Sequence, residues 1–295
     1  MTILLGILEQ GLVYGILALG LYITYTILNF PDLTVDGSFP LGASVAVALI
    51  TAGINPLLAL AASFAAGVLA GTITGLIHVK LGVRNLLSGI IVMTGLYTIN
   101  LWIAGQANVP IFANDTIFNN DLTKTLLPAS LSSYTKIIVI IFFAFLMKLL
   151  LDAYLTTKSG YLLKASGDNE ILVKTMAKNP GALKIIGLSI ANGLVALAGG
   201  ILMQHQRFFE ISMGTGSMVI GLASVIIGMK LFQKIGFLKP TTKVLLGSVI
   251  YNAIVAAAIA IGLSAQSMKL ITAVLFLAVL VFSQESPFGK KVRNA

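Results

Sequence analysis

Residues 4–28 read LLGILEQGLVYGILALGLYITYTIL, and residues 29–40 read NFPDLTVDGSFP. The first stretch carries a single charged residue, Glu9. A helix rises about 1.5 Å per residue, so about 20 mostly apolar residues cross the hydrocarbon core of a bilayer. Residues 4–28 meet that length. They do not resemble a secretory signal peptide, because there is no basic n-region and no small-residue cleavage site, and the run is about twice the length of an h-region. The second stretch interrupts the apolar pattern with two prolines, a glycine and two aspartates, after which apolar sequence resumes. The same alternation continues along the chain. On this ruler spans are expected near 4–28, 35–53, 56–79, 86–106, 134–153, 182–204, 214–231, 242–263 and 268–283. The expected fold class is therefore all-α, a polytopic integral membrane helical bundle of about nine spans, between eight and ten.

Composition agrees. Of 295 residues, 57% are hydrophobic and 10% charged, and the mean hydropathy is +0.99. Soluble domains carry roughly 25% charged residues, so an ordinary globular enzyme is excluded, as is a disordered chain. The net charge of +9 would suggest nucleic acid in a soluble protein. Here the basic residues sit in short segments between apolar runs, where they report topology instead. There is no cysteine, and His78 and His205 are far apart, so neither a disulfide nor a metal site is expected.

Lys80 and Arg84, the block Lys148–Lys184, the block Lys230–Lys243 and the tail with Lys290, Lys291 and Arg293 hold fifteen of the nineteen basic residues. Lys124, Lys136, Arg207 and Lys269 fall on the other side. The positive-inside bias puts the first set in the cytoplasm, with the N-terminus outside and the C-terminus inside. Residues 107–133 then form an extracytoplasmic loop and 154–181 a cytoplasmic one. Neither is long or apolar enough to fold alone, so the expectation is a single transmembrane domain over 1–295.

Several segments carry candidate chemistry. Asp32, Asp36 and Ser38 lie in the interruption at 29–40. Intramembrane Asp costs about 2.5–3.5 kcal/mol on insertion scales, so such residues point to a functional site. Two readings stand side by side: an ordinary turn with Asp36 or Ser38 capping the second helix, or a broken segment beside a translocation path. The absence of Lys and Arg favours the second. Glu9 and Gln10, near the outer end of the first span, either sit in water or mark the mouth of a path. His205 and Arg207, in QHQRFFE, either line an outer vestibule or belong to an interfacial belt with Phe208 and Phe209. Gly67, Gly71 and Gly75 repeat at four-residue spacing, a helix-packing signal that serves within the chain or across a dimer. Asn100, Asn192 and Asn252 are lone amides within spans and read as interhelical hydrogen-bonding groups.

The block 155–180, LTTKSGYLLKASGDNEILVKTMAKNP, is the most informative. It reads as a short helix bearing Tyr161, Leu162 and Ala165, then a second one capped by Asp168, with Glu170 in its first turn and Leu172 and Met176 four apart. Such a helix–turn–helix offers a compact surface to a partner; a solvated basic connector is the plainer reading. The chain has no G-x-x-x-x-G-K-[ST], no H-E-x-x-H and no evident catalytic triad, so catalysis and ATP binding by this chain itself are not expected.

At these residues the sequence resembles a known family, the membrane permeases of ABC importers of the branched-chain amino acid and ribose type. The likeness covers nearly the whole chain and rests on LEQGLVYGILALGLYITY, PDLTVDGSF, KSGYLLKASGDNE and MGTGSMVIGLASVIIG. ILNFPDLTVDGSFPLGA is most similar to a branch whose binding proteins are associated with tryptophan and tyrosine. The resemblance implies that Gly160, Ala165, Ser166, Gly167, Asp168, Asn169 and Glu170 sit at or beside a coupling element that contacts an ATPase. The sequence departs from relatives at Ala177-Lys178-Asn179, where Gly-Ile-Asn is common. The resemblance also implies a homodimer, a cytoplasmic ATPase dimer that holds ATP and Mg, an extracytoplasmic substrate-binding lipoprotein or periplasmic protein, and a location in the bacterial cytoplasmic membrane. It implies no cofactor on this chain and no nucleic acid. An aromatic amino acid is the expected solute, with a branched-chain amino acid, a purine nucleoside or a sugar as others. Two alternatives remain: an ion-coupled secondary transporter, which usually shows matching broken helices in both halves, and a non-transporting scaffold subunit. No counterpart of the 29–40 interruption is evident in the second half.

Overall fold

The computed structural model describes residues 2–120, 123, 134–175, 179–261 and 268–283. The basic tail, Lys124, and Met176 to Lys178 lie outside the described residues. Helix α1 (Thr2–Leu21) continues as a π-helical turn, Tyr22–Ile27. It is followed by α2 (Val35–Thr51), α3 (Pro56–Leu81) and α4 (Asn85–Ala104). Next come α5 (Thr135–Leu155) and two short helices, α6 (Lys158–Asp168) and α7 (Glu170–Thr175). The chain closes with α8 (Pro180–Gln206), α9 (Ser217–Leu231), α10 (Pro240–Ala260) and α11 (Met268–Ser283). The fold is that of an all-α polytopic membrane protein.

Seven of the described helical segments are long and apolar enough to cross a bilayer: Leu4–Ile27, α3, α4, α5, α8, Ile211–Leu231 and α10. Helix α2 has 17 residues and α11 has 16, short of that length. The helix ends follow local chemistry. Asn55 and Asn179 cap α3 and α8 through their side-chain oxygens, each followed by a proline whose missing N–H costs nothing in a first turn. Gly82 and Gly105 close α3 and α4 in the left-handed conformation.

Helix α8 is the axis of the bundle. It is buried almost continuously from Gly187 to Gln204. Two of its neighbours approach to backbone contact. Cβ atoms added at Gly67 and Gly71 would lie 2.2 Å from the carbonyl oxygens of Asn192 and Leu188, and one at Gly75 would lie 2.9 Å from Ile185 Cα. The glycine stripe of α3 therefore serves a contact within the chain. Helix α2 does the same: Gly42 meets the carbonyl of Ala196, and Gly199 meets that of Phe39.

Lys164, Lys184 and Lys239 lie at one end of the bundle with α6 and α7, in contact with Leu155, Glu170 and Asp152. At the opposite end an antiparallel ladder pairs β1 (Asn108–Pro110) with β2 (Phe208–Glu210). This small sheet is an addition to the all-helical expectation. It corrects the reading of Phe209 as an interfacial residue, because Phe209 is fully buried in a cluster with Ile111 and Met203.

The close helix contacts set a test. Gly71→Ala places a methyl against the Leu188 carbonyl and should destabilise the bundle by about 1–3 kcal/mol. Gly95→Ala, where an added Cβ meets nothing within 4 Å, should be neutral or slightly stabilising. Thermal unfolding of the two variants in mild detergent compares them.

Candidate functional site

Asn29 ends the first helix by adopting φ 51°, a left-handed conformation that Asn tolerates. Pro31 follows, and the chain runs without helix to Thr34. This run is not an exposed turn. Phe30, Asp32, Thr34 and Val35 are all buried, and so is Ser38 in the first turns of α2. Of the two readings of 29–40, the structure has the broken segment packed inside the bundle.

Its polar groups are taken up one by one, as backbone and side chains away from water must be. Asp32 accepts from the Thr34 amide at 2.9 Å and from Asn192 Nδ2 at 2.7 Å. Ser38 Oγ donates to Asn192 Oδ1 at 2.7 Å. The Thr34 and Thr74 hydroxyls lie 2.8 Å apart and hydrogen-bond. Asn192 stands twelve residues into α8, about 18 Å along its axis. Expected as an interhelical hydrogen-bonding group, it is one, and it ties the break to the central helix. Asn252 only donates to Ser248 O within its own helix.

Asp36 does not cap its own helix, contrary to the simpler expectation. Its carboxylate accepts from the Gly216 amide at 3.1 Å, the Ser217 hydroxyl at 3.0 Å and the Met218 amide at 2.8 Å. These groups form the start of α9. Gly216 holds φ 85° and α9 has no capping side chain of its own, so Asp36 supplies the cap from another helix. Pro40, inside α2, has no N–H to give the Asp36 carbonyl, and Gly214 lies against that carbonyl, where a Cβ would come within 2.2 Å. Gly37 packs on Met93, near the middle of α4, so the start of α9 is deep in the bundle. The stretch 207–216 between α8 and α9 is thus also without α-helix and runs from the ladder to this junction.

A cleft of about 370 Å³ opens beside this junction, lined by Asp36, Pro40, Met93, Tyr97, Asn100 and Thr215 among others. Asn100 and Tyr97 are site residues that sequence reasoning missed; a lone amide gave the only signal. A larger hollow, about 500 Å³, lies at the ladder end near Asn55, Asn114 and Asp115.

Glu9 and His205 pair with each other, 2.9 Å apart and largely buried, joining α1 to α8 near the ladder. They are not brought to Asp32, Asp36 or Ser38. Arg207 donates to the Phe112 carbonyl at 3.3 Å.

At the basic end, Thr157 caps α6 by accepting from the Gly160 amide at 3.2 Å. Gly160 lies against Tyr154 O, and Ser166 is buried. Gly167 sits on the end of the first helix, where an added Cβ would fall 1.6 Å from Ile27 O. The sequence reading placed the next cap at Asp168; the structure assigns it to Asn169, whose Oδ1 accepts from Ile171 and Leu172 amides. Asp168 is the last residue of α6 and is exposed, as are Asn169 and Glu170. Asn has an equally good capping oxygen, and the one-residue shift lets Leu163 and Val173 both reach the core. Glu170 bonds Lys184 of α8, and that bond holds its carboxyl below the usual glutamate range. Tyr161, Ile171 and Leu172 remain exposed on the outer surface of this pair.

Residues 3–283 match the family described as branched-chain amino acid transport system, permease component. The chain belongs to this family. It is 41% identical over 280 residues to a tyrosine transport system permease protein of Clostridioides difficile, covering 95% of this chain and 91% of that one. It is 31% identical to a probable branched-chain amino acid transport permease protein LivH of Methanocaldococcus jannaschii, over 72% of this chain and 70% of the relative. The ribose import permease protein RbsC of Escherichia coli K12 is 27% identical, over 76% and 68%. No solved structure matches significantly. The chain is thus a multi-pass permease of the bacterial cytoplasmic membrane.

Two outcomes check this permease's junctions. Asp36→Ala leaves the α9 amides without an acceptor and should lower stability by about 0.5–2 kcal/mol in thermal unfolding. The Glu170–Lys184 contact has a depressed carboxyl pKa, so it holds above the ordinary glutamate value and is lost as pH falls through the lower, folded value. The protection of α7 amides relative to the unstructured rate at the same pH should therefore hold at neutral pH and fall only under acid conditions; Glu170→Gln should lower that protection at pH 7.

Proposed function

We propose that this permease is the membrane subunit of an ATP-driven importer for an amino acid, tyrosine or tryptophan by its similarity to the C. difficile protein. It would act as a homodimer with two cytoplasmic ATPase subunits and receive its solute from an extracytoplasmic binding protein. ATP and Mg would be held by the ATPase, and this chain would bind no cofactor.

The observation that carries the reading is the α6–α7 pair. It presents exposed Tyr161, Ile171 and Leu172 at the basic end and rests through Gly167 on the end of the first helix. An apolar surface outside the spanning segments is suited to a protein partner. Movement of that partner would reach the broken segment through Ile27 and Leu28. The lysine distribution supports nine crossings with the N-terminus outside, α2 and α11 completing the seven longer segments. In that orientation 154–181 is the cytoplasmic coupling loop and 107–133 the outer one, within one transmembrane domain.

The path itself is best placed along the cleft at Asp36 and Asn100. A cleft that presents a carboxylate is ill suited to lipid and fits a water-filled route or a second copy. Asp32 and Ser38 then hold the wall in place from behind, and Glu9 and His205 lie toward its outer mouth.

One observation favours a second reading. The breaks at 28–34 and 207–216 occur in both halves, a pattern known from ion-coupled transporters. The purified chain alone in liposomes separates the two, since uptake under a proton or sodium gradient would replace the ATP-driven reading. For the importer, a P-loop ATPase should co-purify in stoichiometric amount in mild detergent. Leu172→Asp, at an exposed position, should release it without altering thermal stability, and Gly167→Val should cut uptake at least tenfold. Full uptake by both variants would leave α6–α7 as a connector and return the scaffold and ion-coupled readings.

A further inference from the structure

The cleft between α2, α4 and the turn Ile211–Gly214 has an unequal set of polar groups. Asn100 is fully buried; its Nδ2 donates to Gly37 O at 3.1 Å, while its Oδ1 has no partner among the described residues. Asp36 contributes a carboxylate held only by neutral donors and a helix N-terminus. The hydroxyl of Thr94 is already donating to Ile90 O, and that of Ser212 to Glu210. Among the described residues, no Lys, Arg or His lines the cleft. Its wall therefore holds a buried acceptor without a donor, its surface a carboxylate, and neither holds a cation to meet a carboxylate. A buried acceptor without a donor is costly, and a ligand N–H removes that cost. The remaining walls, Met93, Pro40, Ile211 and the half-exposed ring of Tyr97, suit an apolar or aromatic body. The volume, about 370 Å³, is that of a site for one small molecule.

We infer that this cleft binds the ammonium group of the transported amino acid, with Asn100 Oδ1 as the acceptor, Asp36 supplying the field and Tyr97 packing on the side chain. The inference rests on the amino-acid permease reading and adds to it a residue-level site and a rule: the amine is read here and the carboxylate is not. Asp36 keeps its cap on α9, so the ligand is attracted by its charge without displacing the Gly216 and Met218 amides. The free carboxylate of the ligand stays toward the water-filled side.

The test measures thermal unfolding of the full-length chain in mild detergent with three probes at millimolar concentration: tyrosine, tyramine, which lacks the carboxylate, and 3-(4-hydroxyphenyl)propionate, which lacks the amine. Tyrosine and tyramine should each raise Tm by at least about 2 °C, and the propionate should not. Asn100→Leu should abolish the tyramine shift. Should that variant fail to fold, Tyr97→Ala, at an exposed position, carries the test and should at least halve the shift. The assignment is overturned if tyramine produces no shift, if the propionate protects equally, or if the shift survives unchanged in a folded variant. Uptake of tyrosine by the complete importer in proteoliposomes keeps the two readings apart. Uptake without tyramine binding removes only this site; tyramine binding without uptake of any amino acid keeps the site and removes the proposed function.

Discussion

Helix α9 begins beside a cleft in the bundle, with its first amides part-buried and without a cap of their own. Gly216, in a left-handed conformation, lets the chain enter the helix sharply but brings no side chain to receive those donors. Asp36 receives them, from a position 180 residues earlier in the chain. That arrangement binds two interrupted elements into one junction. The position of Asp36 in turn depends on the break before it, held by Asp32 and Ser38 on Asn192 and by Thr34 on Thr74. A bilayer forbids unsatisfied backbone where lipid is the only neighbour, so each break must be enclosed by helices that donate and accept at the right heights. Helix α8 does this from the middle, and the glycines of α2 and α3 let those helices come close enough for short side chains to reach.

Local pattern explains why the helices were legible and their junctions were not. Apolar run length depends on each segment alone, and helices lie where the runs placed them, seven described segments being long enough to cross a bilayer. The ends of α3 and α8 were equally open to reading, from Asn-Pro at each start. The stripe Gly67, Gly71 and Gly75 announced close approach without naming its partner, because small residues permit contact with any helix. The partner turned out to be α8 of the same chain. The cap on α9 had no local signature at all: the acceptor lies in α2, and the donors are backbone groups. Likewise the β-ladder joins two loops about a hundred residues apart, each too short and mixed in pattern to declare a strand. In the block 155–180 the local signals for two short helices were strong, and the cap of the second went to Asn169 and not to the adjacent Asp168.

The same contacts define a mechanical route. Helix α6 meets the end of the first helix backbone to backbone at Gly167 and Ile27, with no flexible side chain between them. From Leu28 the chain passes within four residues to Asp32, and from there through Asn192 and Ser38 to the start of α2. A displacement at the α6–α7 surface would therefore pass by direct backbone contact to the non-helical run 28–34. The π-helical turn Tyr22–Ile27 lies on that route, where a looser hydrogen-bond pattern offers a place to bend. Any partner that drives the cycle must bind two arrangements of this route with different affinity, since equal affinity would move nothing.

Selectivity then has little room in the frame. Relatives of the same permease family bear the names of tyrosine, branched-chain amino acid and ribose systems, so membership of the family does not by itself fix the solute. Asp36 is committed to α9 and Asp32 to Asn192, and altering either would disturb the bundle before it altered a preference. Side chains that face the cleft without holding the structure are a short set, and Tyr97 and the unpaired oxygen of Asn100 belong to it. A cleft with so few free polar groups would hold a solute weakly. Weak holding suits a route that must release what it receives, because every added contact in the middle of the membrane would have to be broken again before the solute could leave.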